Sequence, residues 1–173
     1  MVNRQFLKKW NLLIFGMFFT LLTIISPVVS SAATSGEFSG TWVADGSRER
    51  FPFGGDREIY TFKLSGHVSL KTNIGQTKHY WSECVGLSDS VSGAVTRCVW
   101  KDVDGPEIYI ILKSKPLHAG GQVSGTIIGG TGPLQGISGD LSFIWSSFSF
   151  QKDGSKSMVM GQTLDLTGHY QLP

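Results

Sequence analysis

Gly125-Thr126-Ile127-Ile128-Gly129-Gly130-Thr131-Gly132-Pro133-Leu134-Gln135-Gly136-Ile137-Ser138-Gly139-Asp140-Leu141 is the stretch on which the fold turns. A β-branched run leads into it, and Leu141 to Phe150 leads out as a second apolar and aromatic run. A loop that cradles phosphate must open a helix, often with a lysine. Here Pro133 follows the glycines and a strand comes next, so the phosphate reading is set aside. Glycine supplies the positive φ and sharp corners of a strand–loop–strand connection.

The same grammar extends in both directions. After residue 33 no stretch sustains apolar residues at helical spacing, whereas short β-branched and aromatic runs recur between Gly, Asp, Asn, Ser and Pro. Strands are expected at Gly40–Val43, Glu58–Leu64 continuing to Thr72 after a bend at Gly66, His79–Val85, Arg97–Val103, Glu107–Lys113, Gln122–Ile128, Leu141–Phe150 and Met158–Tyr170. Asp104-Gly105-Pro106 and Lys152-Asp153-Gly154-Ser155 read as tight turns. Ser35–Ser39 and Ala44–Asp56 read as mobile loops. Eight strands joined by hairpin-length turns favour an all-β, closed antiparallel barrel, because closure removes exposed edges. Such a barrel is just wide enough for side chains or one small ligand.

The first 33 residues are of another kind. Arg4, Lys8 and Lys9 precede an apolar run from Leu12 to Ile25, and Pro27 and a Ser/Ala tail follow. This is the order of a secretory signal peptide, with cleavage expected after Ala32 or Ala33. The apolar run is short for a bilayer span, which needs about 20 residues. An uncleaved N-terminal anchor is the alternative, and the expected location is secreted or periplasmic. The full chain carries 15 Lys and Arg against 13 Asp and Glu; without the three basic leader residues, 12 face 13, a balance of −1. A near-neutral domain of about 140 residues with no basic run has no electrostatic footprint for nucleic acid and no polybasic membrane patch. It forms one domain, 34–173.

Cys84 and Cys98 are the only cysteines. After export, an isolated pair points to a disulfide closing a loop of roughly 15 residues, worth about 3 kcal/mol. Two free buried thiols are the alternative.

The glycine-rich stretch resembles the G-G-(T/S)-G-x-(F/Y)-x-G-x-x-G segment of the allene oxide cyclase and dirigent superfamily. Gly129, Gly130, Gly132, Gly136 and Gly139 carry the match, and Leu134 stands where an aromatic is usual. The likeness covers mainly Gln122 to Phe150, with weaker support from Gly168-His169-Tyr170, and is greatest to bacterial exported members. It implies an eight-stranded barrel with an apolar cavity, a dimer or trimer, and relatives that steer cyclisation or coupling of apolar molecules. Gly40-Thr41-Trp42 is similar to the lipocalin G-x-W, although the C-terminal lipocalin helix is missing.

Chemistry-bearing residues are sparse. His67, His79, His118 and His169 lack ligand spacing, so no metal is expected, nor any cofactor. No G-x-S-x-G nucleophile is present. Along His79–Cys84, alternation sets His79, Trp81 and Glu83 on one face and Tyr80, Ser82 and Cys84 on the other. If the first face points inward, Glu83 beside Trp81 is the catalytic candidate, a carboxyl whose pKa an apolar lumen would raise. If it points outward, Glu83 is a solvated residue, or an ion-pair partner of Arg97. Trp81, Glu83, Tyr109 and Trp145 are the candidate cavity residues. Trp100, Phe143, Phe148 and Phe150 supply further bulk, mostly for core packing. The expected function is non-catalytic binding of a small apolar or aromatic ligand; a cyclase, isomerase or coupling director, and a structural barrel with a filled lumen, are the alternatives.

Overall fold

The structure is a computed structural model that describes residues 34–103, 105–116 and 121–173. The expected leader, its cleavage point, His118 and Asp104 lie outside the described residues. Eight antiparallel strands form a closed barrel in sequence order: β1 (Thr34–Pro52), β2 (Glu58–Thr72), β3 (Thr77–Asp89), β4 (Gly93–Asp102), β5 (Glu107–Ser114), β6 (Gly121–Gly130), β7 (Ser138–Asp153) and β8 (Lys156–Leu172). β1 closes the ring by pairing with both β2 and β8.

Alternation along each strand builds the core. β5 turns Ile108, Ile110 and Leu112 inward, and β4 turns Thr96, Cys98 and Trp100 inward. Trp100, Ile110, Val68 and Leu166 are almost wholly buried. Cys84 and Cys98 are directly paired across β3 and β4 and form a disulfide inside the barrel, with Cα atoms 4.2 Å apart. That close spacing is typical of a non-hydrogen-bonded antiparallel pair.

The glycine-rich stretch is a strand–loop–strand connection. β6 ends at Gly130, a single 3-10 turn covers Gly132–Leu134, and β7 begins at Ser138. Ile137 is buried and Leu134 packs against the core, so this connection plugs one end of the barrel. Gly139 is required by contact: its φ is +155°, and a Cβ there would lie 2.1 Å from the His169 carbonyl oxygen. The Lys152–Ser155 turn is a hairpin with Gly154 and Ser155 between β7 and β8.

Three expectations are corrected. Ser35–Ser39 and Ala44–Pro52 are not loops; they belong to β1, the longest strand at 19 residues. Their composition is polar, but the backbone is held by ladders, to β8 from Thr34 to Glu49 and to β2 from Phe38 to Pro52. Gly66 does not bend β2. It is a point of close approach, where a Cβ would meet the Val43 carbonyl oxygen at 2.0 Å. The turn after β3 is only Ser90–Ser92, since Gly86–Asp89 continue the strand.

Candidate functional site

The barrel is closed at the end that holds the β6–β7 connection and opens toward the other end. A cavity of about 120 Å³ lies inside the open end. Its floor and walls are aromatic and aliphatic: Trp42, Phe62, Leu64, Val123, Phe143 and Trp145. Toward the rim the lining becomes polar, with Arg48 on β1, Tyr60 on β2, Ser88 on β3 and Ser114 on β5; Lys113 borders the mouth from the outward face of β5.

Local structure sets each wall. Trp42 lies against Phe143 edge-on at 5.9 Å and against Trp145 at 5.0 Å. A bulge in β8, marked by positive φ at Asp165, interrupts the pairing of β8 with β1 between Gly40 and Val43. The Trp42 backbone N–H there donates to the Thr163 hydroxyl at 2.8 Å instead of to a ladder carbonyl. Bulges re-aim side chains in this way. Two of the aromatic walls rest on glycines. A Cβ at Gly86 would lie 2.4 Å from the Phe62 ring, and one at Gly161 would lie 2.4 Å from the Trp145 indole. Each glycine thus leaves the room its aromatic neighbour occupies.

Arg48 is held at the rim by two contacts. Its guanidinium carbon sits 4.3 Å from the centre of the Tyr60 ring, and Nη2 donates to the Ser149 hydroxyl at 2.9 Å. Among the described residues no carboxylate forms a salt bridge with it. Its Nε is buried without a hydrogen-bond partner.

Of the four candidate cavity residues, only Trp145 lies at the cavity. Trp81 and Glu83 point outward, because β3 turns Tyr80, Ser82 and Cys84 into the barrel. Trp81 packs edge-on against His67, its cross-strand neighbour on the outer surface, at 4.9 Å. Glu83 is exposed and forms no ion pair with Arg97, which lies opposite Val85 rather than Glu83. Tyr109 also faces outward and donates its hydroxyl to Glu107 Oε2 at 3.0 Å. That bond, with some desolvation, raises the Tyr109 pKa. Glu83 and Tyr109 border a depression of about 700 Å³ on the outer face, across the barrel wall from the cavity. Of the other aromatics, Trp100 and Phe143 are core, whereas Phe148 and Phe150 lie on the exterior.

Sequence reasoning passed over Arg48, Tyr60 and Ser114. The signal for Arg48 was the alternation Trp42, Ala44, Gly46, Arg48: with Trp42 inward, every second residue of the same strand follows it. Among the described residues, no three His, Cys, Asp or Glu side chains gather as a metal site. The chain matches no protein-family model and no curated protein.

Proposed function

We propose that this protein is an exported, non-catalytic β-barrel that binds one small apolar or aromatic molecule in the cavity at its open end. The observation that carries the reading is the cavity itself. A pocket walled by Trp42, Phe62, Phe143 and Trp145, with a few polar groups at its mouth, has the make-up of a ligand site. Its volume is near that of an apolar cavity able to hold benzene, about 150 Å³. The outward position of Glu83, the one catalytic candidate, favours binding over cyclisation or isomerisation. The buried Cys84–Cys98 disulfide supports an oxidising compartment, and so the reading of residues 1–33 as a leader. Ring closure in sequence order and the Gly129–Gly139 connection support kinship with the allene oxide cyclase and dirigent barrels, on which the proposed dimer or trimer also rests.

The test is native mass spectrometry of protein exported by its own source, combined with tryptophan fluorescence during titration with toluene. A retained small molecule, or saturable quenching that Trp145→Ala weakens, supports binding. No retained mass and no response to any monocyclic aromatic overturns it.

A further inference from the structure

Resting on the binding reading above, we infer that the ligand is a small organic anion, a carboxylate on a single-ring or branched apolar body, with its charged end at Arg48. Three independent observations converge on the same cavity. The first is charge. Among the described residues the lining includes the inward-facing Arg48 and no Asp or Glu, although the 34–173 domain as a whole is close to neutral. An uncompensated cation at a low-dielectric opening focuses a positive potential on it.

The second is unmet hydrogen bonding. Four buried side-chain polar atoms lack a protein partner among the described residues, and three of them belong to residues of this cavity: Trp42 Nε1, Arg48 Nε and Ser114 Oγ. Trp42 is only 2% exposed. A buried donor left without an acceptor is costly, and native proteins leave few of them. Arg48 Nε, the one of these donors at the rim, can only donate, so the group that would satisfy it is an acceptor. Trp42 and Arg48 stand on β1 and Ser114 on β5, opposite walls of an eight-stranded ring, so the unmet groups lie on two facing walls.

The third is polarity by depth. The aromatic floor can take a ring or branched tail, while Arg48 and the hydroxyl-bearing Tyr60, Ser88 and Ser114 stand at the rim. A ligand matched to this gradient is apolar at one end and anionic at the other. Tyr60 and Ser149 already hold the Arg48 guanidinium in place, so little further ordering is needed when the anion arrives. A charge-assisted hydrogen bond to a planar guanidinium is well suited to carboxylate.

The experiment titrates the exported protein with phenylacetate and with ethylbenzene, its near-isosteric neutral counterpart, at pH 7 by calorimetry and tryptophan fluorescence. The expected result is at least tenfold tighter binding of phenylacetate, weakened by salt. Arg48→Gln lowers phenylacetate affinity by a larger factor than ethylbenzene affinity and so abolishes that preference. Arg48→Lys, which keeps the charge but not the planar fork, retains only part of the preference and serves if Arg48→Gln does not fold. Binding of ethylbenzene with no preference for phenylacetate overturns the anionic ligand but leaves the barrel a binder. Failure of both probes, with no small molecule retained in native mass spectrometry, overturns both readings.

Discussion

Arg57 and Asp89 clasp two neighbouring loops at the open rim of the barrel. Arg57 Nε lies 3.0 and 3.1 Å from the two carboxylate oxygens of Asp89, and Nη2 bonds the same group. The Asp89 side chain is almost fully buried and also accepts from the Val91 N–H at 2.8 Å and the Ser92 hydroxyl at 2.8 Å. One carboxylate therefore ties the chain before β2 to the β3–β4 turn. Arg57, followed by the Val91 N–H, holds the Asp89 pKa well below the usual carboxylate range.

The sign of the pH dependence follows. A carboxyl whose folded pKa is depressed contributes stability that is present above its unfolded value, near 3.9, and lost as pH falls toward the folded value. Thermal unfolding should therefore show a falling Tm from about pH 4 downward. Asp89→Asn should lower Tm at pH 7 by about 5 °C or more and flatten the acid limb. An unchanged acid limb in the variant would remove Asp89 from that role.

Tyr80 supplies the alkaline counterpart. It lies in the core beside Trp100, and burial, then the Asp102 charge, push its pKa up to about 12. A phenol whose folded pKa is raised contributes stability below pH 10 that is lost as pH climbs through 12. Ultraviolet titration at the phenolate band should show a late step that Tyr80→Phe removes. If Tyr80→Phe leaves every step in place, the late ionisation belongs to another tyrosine.

The Cys84–Cys98 bond should be unreactive in the folded state, since both cysteines are nearly inaccessible. Thiol titration of denatured, unreduced protein should find no free thiol. The Cys84→Ala, Cys98→Ala double variant should lose about 3 kcal/mol of stability in urea unfolding. Two reactive thiols per denatured chain would refute the bond.

The glycines of the β6–β7 connection should rank by their surroundings. Gly139→Ala drives a Cβ into the His169 carbonyl as well as straining the backbone, and should cost upward of about 2 kcal/mol. Gly132 has φ of +56° but nothing within 4 Å of a built Cβ, so Gly132→Ala should cost only about 1 kcal/mol. Equal losses, measured by chemical denaturation, would mean that backbone conformation alone sets the cost.

Binding should follow the inner face of the barrel and ignore the outer one. Trp145→Ala should weaken toluene binding by about tenfold, the loss of one aromatic wall, whereas Trp81→Ala and Glu83→Gln should change it by less than about twofold. Fluorescence titration of the three variants decides it. A large effect at Trp81 would relocate the site to the outer surface.

The sequence by itself determined the fold class. Eight period-2 runs and their turn residues are local signals, and the Gly129–Gly139 stretch reads correctly because its chemistry, glycine before proline before a strand, excludes the helix a phosphate loop needs. The pairing of Cys84 with Cys98 was legible for a similar reason: an isolated pair leaves one choice of partner. The facing of β3 was not legible. His79, Trp81 and Glu83 alternate against Tyr80, Ser82 and Cys84 with aromatics on both sides, so hydrophobicity alone does not select a face. Selection came from the neighbours: Cys84 had to meet Cys98 inside, and Ser82, fully buried opposite Gly66, donates its hydroxyl to the Gly66 carbonyl at 3.1 Å. The extent of β1 was hidden for a different reason. Ala44 to Pro52 has the composition of a loop, and it becomes strand only because β2 and β8 flank it and satisfy its backbone. Arg48 reaches the cavity mouth because that non-local pairing carries the alternation from Trp42 past Ala44, so the local signal could be read only once the tertiary structure had extended the strand.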